Sequence, residues 1–203
     1  MTISNYATLQ TTVTSWLHRD DANLTSLVPD FITLAEAKLN RLLRLRAQET
    51  TATGTVSATV ALPTSFIGMR SLTVSAGGKS YPLTYVTPEL ITSETGQPTS
   101  YSIVGDNLVF QNSATGYTYT LVYYVPFAAL SAGVNWLITN APDVYLYATL
   151  LEAAPYMKND ARIATWRLML NGDGTPENRG ALGSLIDADK KDRFGSGLAV
   201  RVS

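Results

Sequence analysis

Cysteine is absent and histidine occurs once, at His18. The first absence excludes a disulfide frame and thiolate chemistry. The second excludes a multi-histidine metal site and leaves a nucleophile triad with no base except His18. Charge is scarce as well. The charged residues make up 15% of the chain and the formal net charge is −1, so no strong field steers it toward nucleic acid or an acidic membrane. The opening stretch MTISNYATLQ has neither the basic start nor the apolar core of a signal peptide, which makes the cytoplasm the expected place of synthesis.

What is present is 203 residues, 45% of them hydrophobic, enough for one large domain or two small ones. Charge is unevenly spread. Between Thr51 and Asn140 the charged residues are Arg70, Lys79, Glu89, Glu94 and Asp106, and all the others lie outside that stretch. The pattern predicts charged helical ends around an uncharged middle rich in Thr, Ser, Gly and Tyr.

The organising stretch is Asn140–Asp160, NAPDVYLYATLLEAAPYMKND. Asn140 reads as an N-cap, Pro142 suits the first turn, and Asp143 complements the dipole. Apolar residues then run almost all the way round, interrupted by Asp143, Thr149 and Glu152. A surface helix would show one apolar stripe, so this one must be covered on several sides. It is too short and too rich in tyrosine to span a membrane. The expectation is a central helix in a packed layer, completed in part by a neighbouring subunit, with Pro155 kinking or ending it.

Upstream, Asn5–Arg19 reads as a short helix capped by Ser4, with Tyr6, Leu9, Val13, Trp16 and Leu17 on one face. Leu27–Gln48 reads as a longer helix, with Ser26 as cap and Pro29 and Asp30 in its first turn. Lys38, Arg41, Arg44 and Arg46 load its C-terminal half, where cations suit the dipole. From Thr51 the period changes to two. TVSATVAL stops at Pro63, MRSLTVSA ends at Gly77-Gly78 and returns over Lys79–Val86, and Thr87–Leu90 reads as one capped turn. Two strands flank Gly105–Asn107, and Tyr117–Val125 reads as the longest strand, with Tyr117, Tyr119, Leu121 and Tyr123 on one face. Phe127–Thr139 reads as a connection, Asn159–Leu170 as a helix, Asn171–Gly180 as a polar loop and Ala181–Arg193 as a helix.

The fold class is therefore α+β: a helical bundle with an inserted small antiparallel β domain and an extended C-terminal tail. The expected divisions are 1–49 and 128–193 for the helical domain, 50–127 for the β domain and 194–203 for the tail. The tail, FGSGLAVRVS, cannot be helical throughout because of its glycines. Phe194, Leu198, Val200, Arg201 and Val202 mark it as a docking segment for another chain, and the alternation of Leu198, Val200 and Val202 suits a strand added to a sheet edge.

Signs of catalysis fall away one by one. His18 lies beside Arg19 and Asp20 on a polar helix end and reads as a surface histidine. Asp187, Asp189 and Asp192 lack the glycine turn and terminal glutamate of a calcium loop. NGDGTPEN resembles such a loop only in placing Asp173 and Glu177 near glycines. Gly105–Asn107 is turn chemistry without the strand–glycine–helix context of a phosphate cradle. Tyr117–Tyr124 could stack sugars or bases, although strand packing is the commoner use of such residues. No catalytic residue, cofactor or metal site emerges, and the chain is not expected to be an enzyme.

The ordered set YATLQTTVTSWLHRDD, FITLAEAKLNRLLR, PTSYSIVGDNLVFQ, YTLVYYVPFAALS, NWLITNAPDVYLYATLLEAAPYMKNDARIATW and DRFGSG resembles the head-to-tail adaptor proteins of tailed bacteriophages. These include tail tubular protein A of short-tailed phages. The resemblance implies a structural virion protein at the head–tail junction, made in the host cytoplasm. It implies a homo-oligomeric ring, dodecameric in its usual form, that binds beneath the portal protein and continues the DNA channel. Further implied partners are a tail nozzle or tail tube protein and a tail fibre or tailspike, with non-specific passage of double-stranded DNA and no membrane. Lys38, Arg41, Arg44, Tyr145, Tyr147, Asp187 and Asp189 are the candidates for the channel wall or subunit interface, and the tail for portal docking. The resemblance also implies one continuous helix from Ile163 to about Arg193, into which NGDGTPEN is inserted. The alternative reading is a glycan- or receptor-binding module of a phage tail that uses the tyrosine-rich sheet.

Overall fold

The structure, a computed structural model, describes residues 2–18, 22–92, 94–157 and 161–194. They divide into two units, within Met1–Ala47 plus Phe127–Ser203 and within Gln48–Pro126. The class is α+β, with six α-helices among the described residues of the first unit and the strands in the second.

Helix α1, Tyr6–Leu17, begins at a capping box in which Asn5, not Ser4, is the cap. The Asn5 Oδ1 accepts from the Thr8 N–H at 2.9 Å, and the Thr8 hydroxyl accepts from the Asn5 N–H at 3.0 Å. Helix α2, Ala22–Leu42, starts well before Leu27 and carries Pro29 inside it. The reason is burial. Leu24 and Val28 extend the stripe of Ile32, Ala35 and Leu39 upstream, and all five are almost fully buried. That burial offsets the one ladder bond that Pro29 cannot make. At the other end α2 stops at Leu42, and a 3₁₀ turn follows at Arg46–Gln48. Arg44 and Arg46 are therefore off the helix, and the Arg44 guanidinium folds back to the carbonyls of Asn40 and Leu43.

The expected connection after Phe127 contains a short helix, α3, Trp136–Asn140, capped by Asn135. Asn140 closes α3 by donating to the Trp136 carbonyl at 2.8 Å, so it is not the cap of the next helix. That helix, α4, Pro142–Met157, opens on Pro142 with Asp143 in its first turn, and it ends two residues after Pro155. Val144, Tyr145, Leu146, Ala148, Leu150, Ala153 and Met157 are all buried. Thr149 is buried too, with its hydroxyl donating to the Tyr145 carbonyl at 2.8 Å. The cover comes from within the chain: α1, α2 and α3 pack on α4, as do α5, Arg162–Asn171, and α6, Gly180–Phe194. Leu39 and Leu150 lie in one core, so the helices on either side of the β unit pack together as expected.

Between α5 and α6 the chain reverses, which overturns the continuous helix. Gly172 and Gly180, at φ +75 and +63, bring their backbones so close that a Cβ on either would strike the other's segment. The Asp173 N–H closes the loop on the Asn178 carbonyl at 3.2 Å. Left-handed backbone at both ends of the loop is affordable only to glycine, and a helix cannot run through it.

The second unit holds two four-stranded sheets in the orders β1-β10-β3-β4 and β2-β8-β7-β5. Their members are β1 Glu49–Thr55, β2 Thr59–Ala61, β3 Gly68–Ala76, β4 Lys79–Pro82, β5 Thr84–Tyr85, β7 Ser100–Val104, β8 Asn107–Phe110 and β10 Thr118–Tyr124. A two-stranded ladder joins β6, Glu94–Thr95, to β9, Asn112–Ser113. The pairing is antiparallel except for β5–β7 and β6–β9, which are parallel. The longest strand is β3, not the one at Tyr117–Val125. Leu72, Val74 and Leu121 of one sheet meet Leu108 and Phe110 of the other in a single apolar cluster. Tyr117, Tyr119 and Tyr123 belong to or pack against that cluster, so the expected face of β10 points inward.

Truncating a covered residue of α4 should cost far more than truncating an uncovered neighbour. Leu150→Ala should lose about 2–5 kcal/mol in denaturant unfolding, whereas Leu168→Ala, on a side chain left 42% exposed, should lose well under half of that.

Candidate functional site

Residues from both ends of the first unit converge on Asp189. Its Oδ1 accepts from the Arg46 N–H at 2.8 Å, and its Oδ2 accepts from Arg193 Nε at 2.6 Å. Arg193 Nη2 also donates to the Arg44 carbonyl at 3.0 Å, and Arg46 reaches Asp192 at 3.5 Å. The i,i+4 spacing of Asp189 and Arg193 puts both on one face of α6, and that face meets the segment leaving α2. The Asp189–Arg193 pair is about nine-tenths buried on each side, so it is a charge-assisted latch with little water to compete for it. The latch fixes the last turn of α6, and with it the point from which the C-terminal residues depart.

The sequence-derived candidates scatter. Lys38 lies on α2 and pairs with Glu152 of α4 at 3.0 Å, and Arg41 is exposed on α2. Asp187 pairs with Arg179 at 2.9 Å. Tyr147 is half-buried with its ring 5.9 Å from that of Trp16. Tyr145 is a correction: it is 1% exposed and presents no surface to a channel or to another subunit. Its own burial removes it from the candidates. Of the tail, Phe194 ends α6, and Leu198, Val200, Arg201 and Val202 lie outside the described residues.

Tyr145 instead heads a polar network that residue spacing did not reveal. Its hydroxyl donates to Glu36 Oε1 at 3.1 Å and accepts from Asn135 Nδ2 at 2.7 Å. Glu36 also accepts from the Leu130 N–H at 2.7 Å, and one α2 turn later Asn40 accepts from the Phe127 N–H at 2.9 Å. Two side chains of α2 thus grip the segment that returns from the β unit. A polar residue four positions before another on an amphipathic helix was the available signal, but solvated polar faces carry it equally often. Burial, and after it the Glu36 carboxylate, push the Tyr145 pKa up from its ordinary 10.0.

The remaining chemistry is local. Among the described residues no group of three or more His, Cys, Asp or Glu is arranged to hold a metal, and no helix is long and apolar enough to cross a membrane. In NGDGTPEN the Asp173 carboxylate is spent within its own loop. It accepts from the hydroxyl and N–H of Thr175 and from Asn178 Nδ2, and these bonds hold its pKa below the usual carboxylate value. The tyrosines of β10 offer no flat aromatic platform, since Tyr123 and Tyr124 are buried and Tyr119 packs on Phe110.

The model of the family described as SU10 adaptor protein matches residues 4–201, and the chain belongs to that family. Membership gives it a structural adaptor role in a phage, as a virion component at the head–tail junction, and points away from enzymatic activity. No curated protein matches the chain.

Two measurements check these interactions. Asp189→Ala removes the carboxylate partner of a nearly buried Arg193, so stability should fall by about 1–3 kcal/mol, with faster amide exchange over Ala188–Arg193. Tyr145 has a folded pKa above its unfolded value. Its contribution to stability is complete below pH 10 and is lost as the pH rises through the folded value. The full-length chain should therefore show a steeper alkaline loss of stability above about pH 10 than Tyr145→Phe does.

Proposed function

We propose that this chain is the subunit of a head-to-tail adaptor ring, of the tail tubular protein A kind, that binds beneath the portal and extends the DNA channel toward the tail. The observation that carries the reading is the family match over nearly the whole chain. A dodecamer is the expected ring, matching the usual symmetry of the adaptors that the sequence resembles. The portal is the upper partner, and a tail nozzle or tail tube protein is the lower one. A tail fibre or tailspike is a further partner.

Charge pairing supports this role. DNA must slide past the wall during packaging and ejection, so strong phosphate contacts would hinder it. Lys38 is neutralised by Glu152, and Asp187 by Arg179, which leaves a wall of balanced charge. Arg41 is the exposed cation of this set that carries non-specific phosphate contact. Tyr147 and the exposed Trp16 beside it supply a subunit contact. The tail, with Phe194, Leu198, Val200, Arg201 and Val202, docks on the portal. Its alternating residues add a strand to a portal sheet edge, at about 25 cal/mol per Å² of apolar surface buried.

Electron microscopy of the purified chain mixed with portal particles should show an added ring on the portal's tail side. Truncation after Asp192 should abolish portal binding and release packaged DNA. A truncated chain that binds portal and retains DNA as well as the full chain would exclude tail docking, and a chain that never joins the portal would exclude the adaptor reading itself.

A further inference from the structure

Strand β1 lies at one end of its sheet, with β10 on one side and an open edge on the other. The ladder to β10 gives the phase of its backbone. The Val125 N–H donates to the Gln48 carbonyl at 2.8 Å, and the Val56 N–H donates to the Tyr117 carbonyl at 3.0 Å. Both bonds continue the register in which Ala52 faces Leu121. Antiparallel strands exchange such bonds at every second residue, so Thr50, Ala52 and Gly54 turn their backbone groups toward β10. Thr51, Thr53 and Thr55 turn theirs outward, and among the described residues no backbone group on that side pairs with them. Their side chains are exposed as well.

Edges of this kind are normally blunted by charge, proline or brevity, and the other edges here are. Strand β4, at the far end of the same sheet, opens on Lys79 and closes on Pro82. The Leu83 N–H donates to the Leu72 carbonyl at 3.0 Å, which leaves Ser80 and Pro82 as the outward residues of β4. Pro82 has no N–H to give. In the second sheet the edges are β2, of three residues, and β5, of two. Strand β1 has seven residues, no proline, and one charge, Glu49, at its start.

We propose that this edge pairs, antiparallel and across a two-fold axis, with the same edge of a second copy. A second copy has one comparable edge to offer, and it is this one, so the contact is isologous. Overlap along the whole strand sets Ala52 opposite the partner's Ala52 and Thr51 opposite the partner's Thr53. Outward groups then meet outward groups, whereas a slip of one residue would set them against backbone already bonded to β10. Threonines facing threonines are favourable cross-strand neighbours. Glu49, paired within its own chain to Arg70 at 3.1 Å, falls opposite the partner's neutral Thr55, so no like charges meet. The axis stands perpendicular to the sheet. The apolar faces therefore stay on one side, and the two four-stranded sheets run on as one. A contact made mainly by backbone bonds along one strand is small, and the dimer is a reversible one.

The inference goes beyond the ring reading. A two-fold contact closes at two copies, so it is a state of the free chain and hides an aggregation-prone edge before assembly.

Sedimentation equilibrium of the full-length chain at low salt tests it. The native chain should form a dimer as concentration rises. Thr51→Lys with Thr53→Lys sets lysine opposite lysine twice across the axis and should weaken that dimer about tenfold or more. Thr51→Glu with Thr53→Glu should weaken it similarly, and an equimolar mixture of the two variants should restore it. Both positions are exposed, so the fold has no need of the threonines there. Variants that associate as the native chain does, or a mixture that stays monomeric, would overturn the proposal. A native chain that is monomeric at every concentration would also overturn it, and would leave the edge to a strand of a different protein. Portal binding is a separate readout, since a ring on the portal can form whether or not the free chain dimerises.

Discussion

Helix α4 carries apolar side chains almost all the way round, and the architecture of the first unit follows from that. Each large apolar side chain moved from water into the core stabilises by about 1.5–3 kcal/mol, but only if another element is there to meet it. The elements that meet it are α1 and α2 from one end of the sequence, and α3, α5 and α6 from the other. Neither terminal segment alone could cover α4, and the short α1 would not stand alone in water. The β unit is therefore an insertion by necessity: the chain leaves after Ala47 and must come back at Phe127 to finish the core.

The buried polar groups of α4 must find partners inside. Thr149 does so with its own helix, through the Tyr145 carbonyl, and Tyr145 does so with Glu36 and Asn135. The second solution does more than satisfy a hydroxyl. Glu36 and Asn40 sit one turn apart on α2 and hold the backbone at Leu130 and Phe127. The return of the chain is thus fixed by hydrogen bonds, where it could not be fixed by apolar packing alone. Asp189 plays the same part just beyond the C-terminal end of α2, where it binds the Arg46 backbone and Arg193 together.

The sequence was most legible where one strong signal repeated. The all-round apolar character of Val144–Met157 marked the central helix, Gly77-Gly78 and Gly105-Asp106 marked their hairpins, and alternation at Tyr117–Tyr123 gave the buried face of β10. It was least legible where a local rule met a tertiary one. Pro29 looked like a first-turn proline, yet burial of Leu24 and Val28 carried α2 upstream through it. Asn140 looked like a cap for α4 because α3 has only five residues and no period to announce it. The polar loop read at Asn171–Gly180 is where the chain reverses, and it is the continuous helix implied by the resemblance, not the reading of the residues, that fails there. Among the candidate site residues, charge and exposure went together for Arg41 but not for Asp189, and Tyr145 was lost to the core. Whether a charged side chain is free or committed depends on partners more than a hundred positions away, as with Lys38 and Glu152.

Commitment of charge inside the chain has a consequence for assembly. The cores of protein interfaces are depleted of charged residues and enriched in aromatic and large apolar ones. Here several charged side chains are turned toward one another, while Trp16, Leu34, Leu42, Val134, Trp136, Leu168 and Met169 remain exposed. Those residues come from α1, α2, the approach to α3, α3 itself and α5, so apolar contact is offered from several elements at once. In the proposed ring, where a subunit would touch neighbours on two sides and different partners above and below, such a distribution is useful because no single contact exhausts it. The same distribution exposes apolar surface before partners arrive. Trp136 is the clearest instance, for its indole is braced by Phe127 and cannot rotate away without giving up that stack. A surface held ready in that way needs no rearrangement when a partner covers it, which lowers the ordering cost of association.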